Sequence, residues 1–309
     1  MQIPDISRRV ACDCPVFVFC KSLGNSYFMQ NAILFIKGCF QLTRPVNLII
    51  GFLSIFIGGF VTGSIDPLAR LILACISGTL VMAGANVIND VYDLEIDRVN
   101  KPQRPLPGGR VSVVFARFYA VFYFIAGCAV AAFIHLPGFC IAVTASFWLY
   151  LYSWKLKRTV LWGNFTVAFI TGLAFVYGGL AIGRWKQALV VGIFAFFFHF
   201  AREIIKDMED MEGDRSDGVV TLPIRYGIRH AQIGVTLLIA ALLGLTVYPY
   251  LAHIFNRLYF MVVLAGVNPV LCFVVISMWK DAGPKNLGRL STLMKADMLV
   301  GLIAVYLGS

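Results

Sequence analysis

Two clusters of acidic side chains stand out in this sequence because their internal spacing is the same. Each contains three aspartates, and every aspartate of the second cluster follows its counterpart in the first by 117 residues. The six are Asp90, Asp93, Asp97, Asp207, Asp210 and Asp214. Carboxylates that lie together repel one another unless a cation lies among them, and hard oxygen ligands suit Mg²⁺ or Ca²⁺. The repeated spacing therefore indicates two cation sites on facing helices.

The sequence around each cluster favours a site for a polyanion. Asn89, Asp93 and Asp97 are spaced by four residues, so on a helix they lie close to one face. Lys206 occupies the position that corresponds to Asn89 in the second cluster, where its charge is suited to a phosphate group. Magnesium bridged to a diphosphate leaving group fits this set, because negative charge grows on the diphosphate as its bond to carbon breaks. The alternative for a lone cluster is a solvated loop.

The composition excludes an ordinary soluble domain. Of 309 residues, 59% are hydrophobic and 14% are charged, whereas a soluble globular protein carries roughly 25% charged residues. The chain is therefore predicted to be an all-α, polytopic membrane protein. The net charge of +10 is attributed to loops on the cytoplasmic side and not to a nucleic-acid partner.

Nine apolar segments are each close to the length that spans the hydrocarbon core of a bilayer. Their approximate bounds are 46–64, 69–88, 113–134, 137–153, 164–183, 187–204, 231–250, 258–279 and 292–308. Alternate loops then carry 22 Lys and Arg residues on the side of the N-terminus and four on the other side. This asymmetry predicts a multi-pass protein of the cell membrane with a cytoplasmic N-terminus and both acidic clusters on the cytoplasmic side. The offset also predicts a parallel internal repeat whose unit is four helices, with the ninth helix outside it.

The first part of the chain differs from the rest. Residues 1–42 are predicted to form an N-terminal tail, in which the stretch from Val10 to Cys20 is a candidate amphipathic segment at the membrane surface. Residues 43–309 are predicted to form a single transmembrane domain.

Two long motifs carry a family resemblance that covers most of the chain from about Thr43 onward. NDVYDLEID with the following RPLP, and KDMEDMEGDRSDGVVTLP, resemble the two signatures of the UbiA superfamily of intramembrane prenyltransferases. The resemblance implies a bundle of about nine transmembrane helices, a requirement for Mg²⁺ and a prenyl diphosphate substrate, with membrane lipids around the protein.

The resemblance also implies roles for individual residues. Asn89, Asp93 and Asp97 are expected to bind one Mg²⁺ and Asp210 and Asp214 the other. Asp90 and Asp207 are expected to be supporting carboxylates, so that the catalytic set is Asp90, Asp93, Asp207 and Asp210. The expected substrate-binding residues are Arg44, Arg104, Tyr152, Lys155, Lys157, Arg158, Arg202 and Lys206.

Two of these assignments stay open at the level of sequence. Lys155, Lys157 or Arg158 is expected to contact the diphosphate near Tyr152, and the spacing does not decide among them. Arg44 is expected to face an anionic group of the acceptor, with simple anchoring at the membrane interface as the alternative.

The second motif and the stretches YSWKLKR and WGNF are similar to the branch of the family that makes archaeal-type lipids. This similarity implies transfer of a geranylgeranyl group to the hydroxyl of geranylgeranylglyceryl phosphate, a lipid-like acceptor that carries a phosphate. A carboxylate without metal or the departing diphosphate would accept the hydroxyl proton. An aromatic or tetrapyrrole acceptor is the alternative within the family, and a cation-coupled transporter is the alternative from another class.

Overall fold

The computed structural model describes residues 15–216 and 218–308. All regular secondary structure in these two ranges is helical. The helices are α1 (Pro15–Leu42), α2 (Pro45–Phe60), α3 (Leu68–Tyr92), α4 (Leu94–Asn100), α5 (Val113–Ala132), α6 (Leu136–Trp154), α7 (Trp162–Ala181), α8 (Trp185–Glu209), α9 (Met211–Ser216), α10 (Leu222–Tyr226), α11 (Ile228–Leu251), α12 (Arg257–Val262), α13 (Asn268–Lys280) and α14 (Pro284–Gly308). A 3₁₀ turn at Leu156–Arg158 follows α6, and a π-helical turn at Val263–Val267 joins α12 to α13.

Nine helical segments of the described ranges are long and apolar enough to cross a membrane, which confirms the predicted number. The first is Met29–Phe60, where α1 continues into α2 through a bend at Arg44. The eighth combines α12, the π-helical turn and α13. The first five residues of the candidate interfacial segment lie outside the described residues, and the other six begin α1. The division of the chain at residues 42 and 43 stays a prediction.

The helix bounds repeat with the same offset as the aspartates. Leu68 and Trp185, which begin α3 and α8, are 117 residues apart, and so are Tyr92 and Glu209, which end these helices. The first residues of α2 and α7 are also 117 residues apart. The helices α2, α3, α5 and α6 thus correspond to α7, α8, α11 and the α12–α13 segment, while α14 has no counterpart.

The central helix α7 packs closely against α2 and α8 because small residues occupy the crossings. A Cβ atom on Gly178 would lie 1.8 Å from the backbone oxygen of Ile55 in α2. A Cβ atom on Gly192 of α8 would lie 2.8 Å from the backbone oxygen of Gly172. These contacts fix α2 and α8 relative to one helix, and α8 is the helix from which the second acidic motif extends.

One acidic side chain lies inside the bundle, away from both motifs. Asp297 of α14 is 3% exposed, and it lines an apolar cavity with residues such as Phe198 of α8 and Leu242 of α11. Neither of its carboxyl oxygens has a hydrogen-bond partner among the protein groups that the structure describes. A buried polar group without a partner costs free energy, so Asp297 lowers the stability of the fold.

Replacing Asp297 with leucine should therefore raise the midpoint of thermal unfolding in detergent. Leucine has a similar volume and leaves no polar atom to desolvate, so we expect a gain of about 1–3 kcal/mol in the free energy of unfolding. Asp297→Asn is the control, because its amide stays unpaired and should give no comparable gain. A leucine variant that unfolds at a lower temperature than the parent would contradict the prediction and indicate a polar partner for Asp297.

Candidate active site

Both acidic motifs begin where a long helix breaks, and the break falls on corresponding aspartates. Asp93 separates α3 from α4 with φ −89° and ψ 1°, and Asp210 separates α8 from α9 with φ −93° and ψ 9°. This region of backbone conformation is sparsely populated and often found at active sites. The helical hydrogen bonds nonetheless continue past each break, since the N–H of Asp97 donates to the oxygen of Asp93 at 2.8 Å and that of Asp214 to Asp210 at 2.9 Å. The two motifs are thus two copies of one local structure.

The first motif is buried, and arginines neutralise two of its carboxylates. Asp90 and Asp97 are 5% and 4% exposed. Arg44 donates to Asp90, while Nη1 of Arg104 lies 2.6 Å from Asp97 and 3.5 Å from Asp90. Arg104 therefore connects two carboxylates of the motif, and Asp97 faces this arginine.

The third carboxylate of the first motif, Asp93, holds a different cation. Nζ of Lys157 lies 2.5 Å from Oδ2 of Asp93 and 3.4 Å from Oδ1 of Asn89. The amide nitrogen of Asn89 in turn donates to Asp93 at 2.9 Å. One positive group is thus held by a carboxylate oxygen and an amide oxygen, which is also a donor set that suits Mg²⁺.

The structure separates the three basic residues that follow α6. Lys157 points to Asn89 and Asp93, whereas Lys155 is exposed and Arg158 bonds only to the backbone oxygen of Tyr92, at 3.4 Å. The 3₁₀ turn at Leu156–Arg158 has three residues per turn and ends α6, so neighbouring side chains diverge. Lys157 is therefore the one of the three that contacts an acidic side chain of the first motif.

Arg44 is held towards the site by an unusual backbone conformation. Its φ of 53° and ψ of 70° lie in the left-handed region, which costs a residue with a side chain of order 1–3 kcal/mol. The amide of Asn86 donates to the backbone oxygen of Thr43 at 2.8 Å and fixes the bend from the side of α3. We did not predict Asn86, although its position one helical turn before Asp90 is the signal that could have identified it.

A polar pocket lies beside the first motif. Arg44, Asn89, Tyr152 and Lys157 line it. Tyr152 lies near Asp93 of the first motif, near Asp207 of the second motif and near Glu203, which precedes the second motif on α8. Carboxylates of both motifs thus lie near one tyrosine, while the facing arrangement of two metal sites stays a prediction.

The second motif is more open than the first. Oδ2 of Asp207 accepts a hydrogen bond of 2.7 Å from Asn164, a residue of α7 that is 7% exposed. Asp210 pairs with Lys206 at 3.0 Å, and both side chains are about half exposed. Asn164 was not predicted, and the signal for it is again the repeat, since Asn47 precedes it by 117 residues.

Arg202 takes a less exposed position than Lys206. Its Nη1 lies 2.7 Å from Oε1 of Glu203, and the two side chains are 12% and 22% exposed. Arg202 thus neutralises a carboxylate of its own helix. That carboxylate, Glu203, is one of the groups near Tyr152.

The arrangement of the carboxylates limits what metal they can hold. Within residues 15–216 and 218–308, no three side chains of the His, Cys, Asp and Glu types converge on one point. Mg²⁺ fits such a sparse set, because it typically takes one or two carboxylates and completes its shell with water and substrate phosphates.

The chain is similar to known proteins over most of its length. A model of the UbiA prenyltransferase family matches residues 48–294. The digeranylgeranylglyceryl phosphate synthase of Methanothermobacter thermautotrophicus is 36% identical over 271 residues, which cover 87% of this chain and 95% of the relative. The enzyme of that name from Methanopyrus kandleri is 38% identical over 268 residues, covering 85% and 96%.

Solved structures show the same overall fold. A structure of digeranylgeranylglyceryl phosphate synthase superposes with a TM-score of 0.81 at 32% identity, covering 89% of this chain and 98% of the other. A UbiA homolog from Archaeoglobus fulgidus, solved with DMAPP and Mg²⁺, gives a TM-score of 0.68 at 24% identity and covers 86% and 98%.

Proposed function

We propose that this chain, which belongs to the UbiA prenyltransferase family, transfers a geranylgeranyl group from its diphosphate to geranylgeranylglyceryl phosphate. The product would carry the second ether bond of archaeal-type membrane lipids. The relatives that bear the corresponding name match nearly their whole length at 33–38% identity, which supports this choice of acceptor.

The observation that carries the proposal is a polar pocket that lies next to an apolar one. Leu149 of α6 lines both the pocket with Lys157 and Tyr152 and a cavity between α2, α3, α6 and α7. The cavity is lined by aliphatic side chains such as Ile55 and Ile141. A molecule with an anionic head and a long hydrocarbon chain fits this combination, and a prenyl diphosphate is such a molecule.

We assign the metal sites on the same grounds. Asn89, Asp93 and Asp97 would hold one Mg²⁺ and Asp210 and Asp214 the other, with Asp90 and Asp207 as supporting carboxylates. The contact of Asp97 with Arg104 makes Asn89 and Asp93 the principal ligands of the first site. When bound, Mg²⁺ neutralises phosphate charge and thereby favours departure of the diphosphate.

The chain's own residues then act on the two substrates. Lys157 and Arg44 supply positive charge where the bond between the allylic carbon and the diphosphate breaks and its electron pair leaves with the diphosphate. The hydroxyl oxygen of the acceptor forms the new bond to that carbon and loses its proton. The proton passes to a carboxylate without metal or to the departing diphosphate.

The charge asymmetry of the loops supports a cytoplasmic location for the site. Both motifs lie at the same end of the bundle, because α3 and α8 are separated by an even number of crossings.

Prenyl transfer by the purified chain tests the proposal. Geranylgeranyl diphosphate and Mg²⁺ are supplied, with geranylgeranylglyceryl phosphate and 4-hydroxybenzoate offered separately as acceptors. We expect product with the glycerol phosphate only, and none after chelation of the metal. Product with the aromatic acid alone would support prenyl transfer but contradict the proposed acceptor. No product with either acceptor would support the transporter alternative.

A further inference from the structure

Arg44 lines a second polar pocket besides the one that contains Lys157. This pocket lies between the end of α1 and the loop that joins α4 to α5. Its polar lining consists of Gln41, Arg44, Asp90, Gln103, Arg104 and Arg110. Three guanidinium groups and one carboxylate give it a net positive charge, so its natural ligand is an anion.

Arg110 differs from the other two arginines because it has neutral partners. Its Nη1 donates to the side-chain oxygen of Gln41 at 2.8 Å and its Nη2 to the backbone oxygen of Gln103 at 2.6 Å. No carboxylate of the described ranges pairs with it, whereas Arg44 and Arg104 both contact Asp90. The charge of Arg110 is therefore uncompensated while its position is fixed, and only some of the five donors of a guanidinium are used.

The fold holds Arg110 in place from both sides. The backbone N–H groups of Arg110 and Val111 both donate to the oxygen of Pro105, at 3.0 and 3.3 Å. Val111 is 2% exposed and packs with Leu42 at the end of α1. The guanidinium is thus part of a docked loop, which lowers the entropy cost of binding an anion there.

The internal repeat shows that this pocket is not a requirement of the helical scaffold. The residues that follow its three arginines by 117 positions are uncharged. They are Leu161, Thr221 and Gly227, which correspond to Arg44, Arg104 and Arg110. The second half therefore has no arginine at the three positions that correspond to the arginines of this pocket.

We propose that this pocket binds the phosphate of the acceptor and that Arg110 is the residue that makes a phosphate-bearing acceptor preferred. The proposal rests on the proposed function and deepens it. In any glycerol phosphate a free hydroxyl lies at most three carbons from the phosphate ester oxygen. The hydroxyl therefore reaches the allylic carbon that carries the diphosphate only when the acceptor phosphate lies in an adjoining pocket. The shared residue Arg44 makes the two pockets adjoin.

The test compares Arg110→Gln with Arg117→Gln, which removes the same charge from an exposed position of α5. Loss of a charge-assisted hydrogen bond to phosphate should raise the KM for geranylgeranylglyceryl phosphate about 10- to 100-fold in Arg110→Gln. The KM for the donor and the midpoint of thermal unfolding should stay at their parent values, and Arg117→Gln should resemble the parent. The preference for this acceptor over unphosphorylated geranylgeranylglycerol should shrink by the same factor. An unchanged acceptor KM, or an equal rise in both KM values, would overturn the role of Arg110.

A binding measurement tests the pocket without relying on prenyl transfer. Glycerol 1-phosphate is added to the full chain in detergent, and the shift in the midpoint of thermal unfolding is recorded for the parent and both variants. A shift that disappears only in Arg110→Gln supports the pocket even if no prenyl transfer is found. No shift in the parent, together with turnover that is insensitive to Arg110, would reject the pocket and leave the function standing.

Discussion

Replacing Asp93 with alanine should lower the rate of prenyl transfer by at least about a thousandfold, the range seen when a principal electrostatic contact of a transition state is lost. Asp93 is the carboxylate at the helix break, and it contacts both Asn89 and Lys157. Its removal takes away a proposed metal ligand and also leaves the ammonium group of Lys157 without its carboxylate. Both changes weaken the stabilisation of the departing diphosphate.

The matched control for this variant is Glu95→Gln. Glu95 belongs to the same motif, but its side chain is 78% exposed and pairs only with Arg98. Exposed ion pairs contribute little, so the rate should stay within about twofold of the parent. Initial rates are measured over a range of Mg²⁺ concentrations, and circular dichroism confirms that each variant is folded. Equal rates for Asp93→Ala and the parent would remove Asp93 from the catalytic set.

The number of helices and the internal repeat could be predicted because both depend on local sequence. An apolar run of about 20 residues is long enough to cross a bilayer in any context. The offset of 117 residues was visible in the aspartates, and the bounds of α3 and α8 repeat it. The same offset also predicts that both motifs lie at one end of the bundle, and the even number of crossings between α3 and α8 agrees with this.

The pairing of charges within the site could not be predicted from spacing. The sequence pattern places Asp97 on the same helical face as Asn89 and Asp93. In the structure its carboxylate instead pairs with Arg104, because the loop after α4 folds back towards the motif. Asn164 reaches Asp207 only because α7 packs against α8. Such contacts depend on tertiary packing and on the bend at Arg44, neither of which has a periodic signal.

The two halves also differ in ways that the shared spacing concealed. Asp90, Asp93 and Asp97 are buried among three cations, whereas Asp210 is about half exposed and pairs with Lys206. A buried carboxylate has few alternatives to its fixed partners, while an exposed one is free to rearrange around a ligand. We infer that the first motif is the fixed side of the site and that the second adapts to the substrate.

Replacing Lys157 with glutamine should lower kcat/KM for the prenyl diphosphate about 100-fold, because a cation at the departing diphosphate is lost from a partly buried site. Lys155→Gln is the matched control: it makes the same substitution two residues away, at an exposed side chain. The sequence spacing does not show which of the two lysines contacts the diphosphate. The 3₁₀ turn after α6 distinguishes them, because it directs their side chains differently. We expect Lys155→Gln to stay within about twofold of the parent.

The pair of variants also separates a local effect from a general loss of positive charge. Both substitutions remove one charge from the same loop, so any effect of the overall field on the donor is common to them. A large loss confined to Lys157→Gln, with the KM of the acceptor unchanged, would assign this lysine to the diphosphate. Equal losses in the two variants would mean that the loop acts through its total charge, and a larger loss at Lys155 would mean that the turn presents the other lysine when substrate is bound.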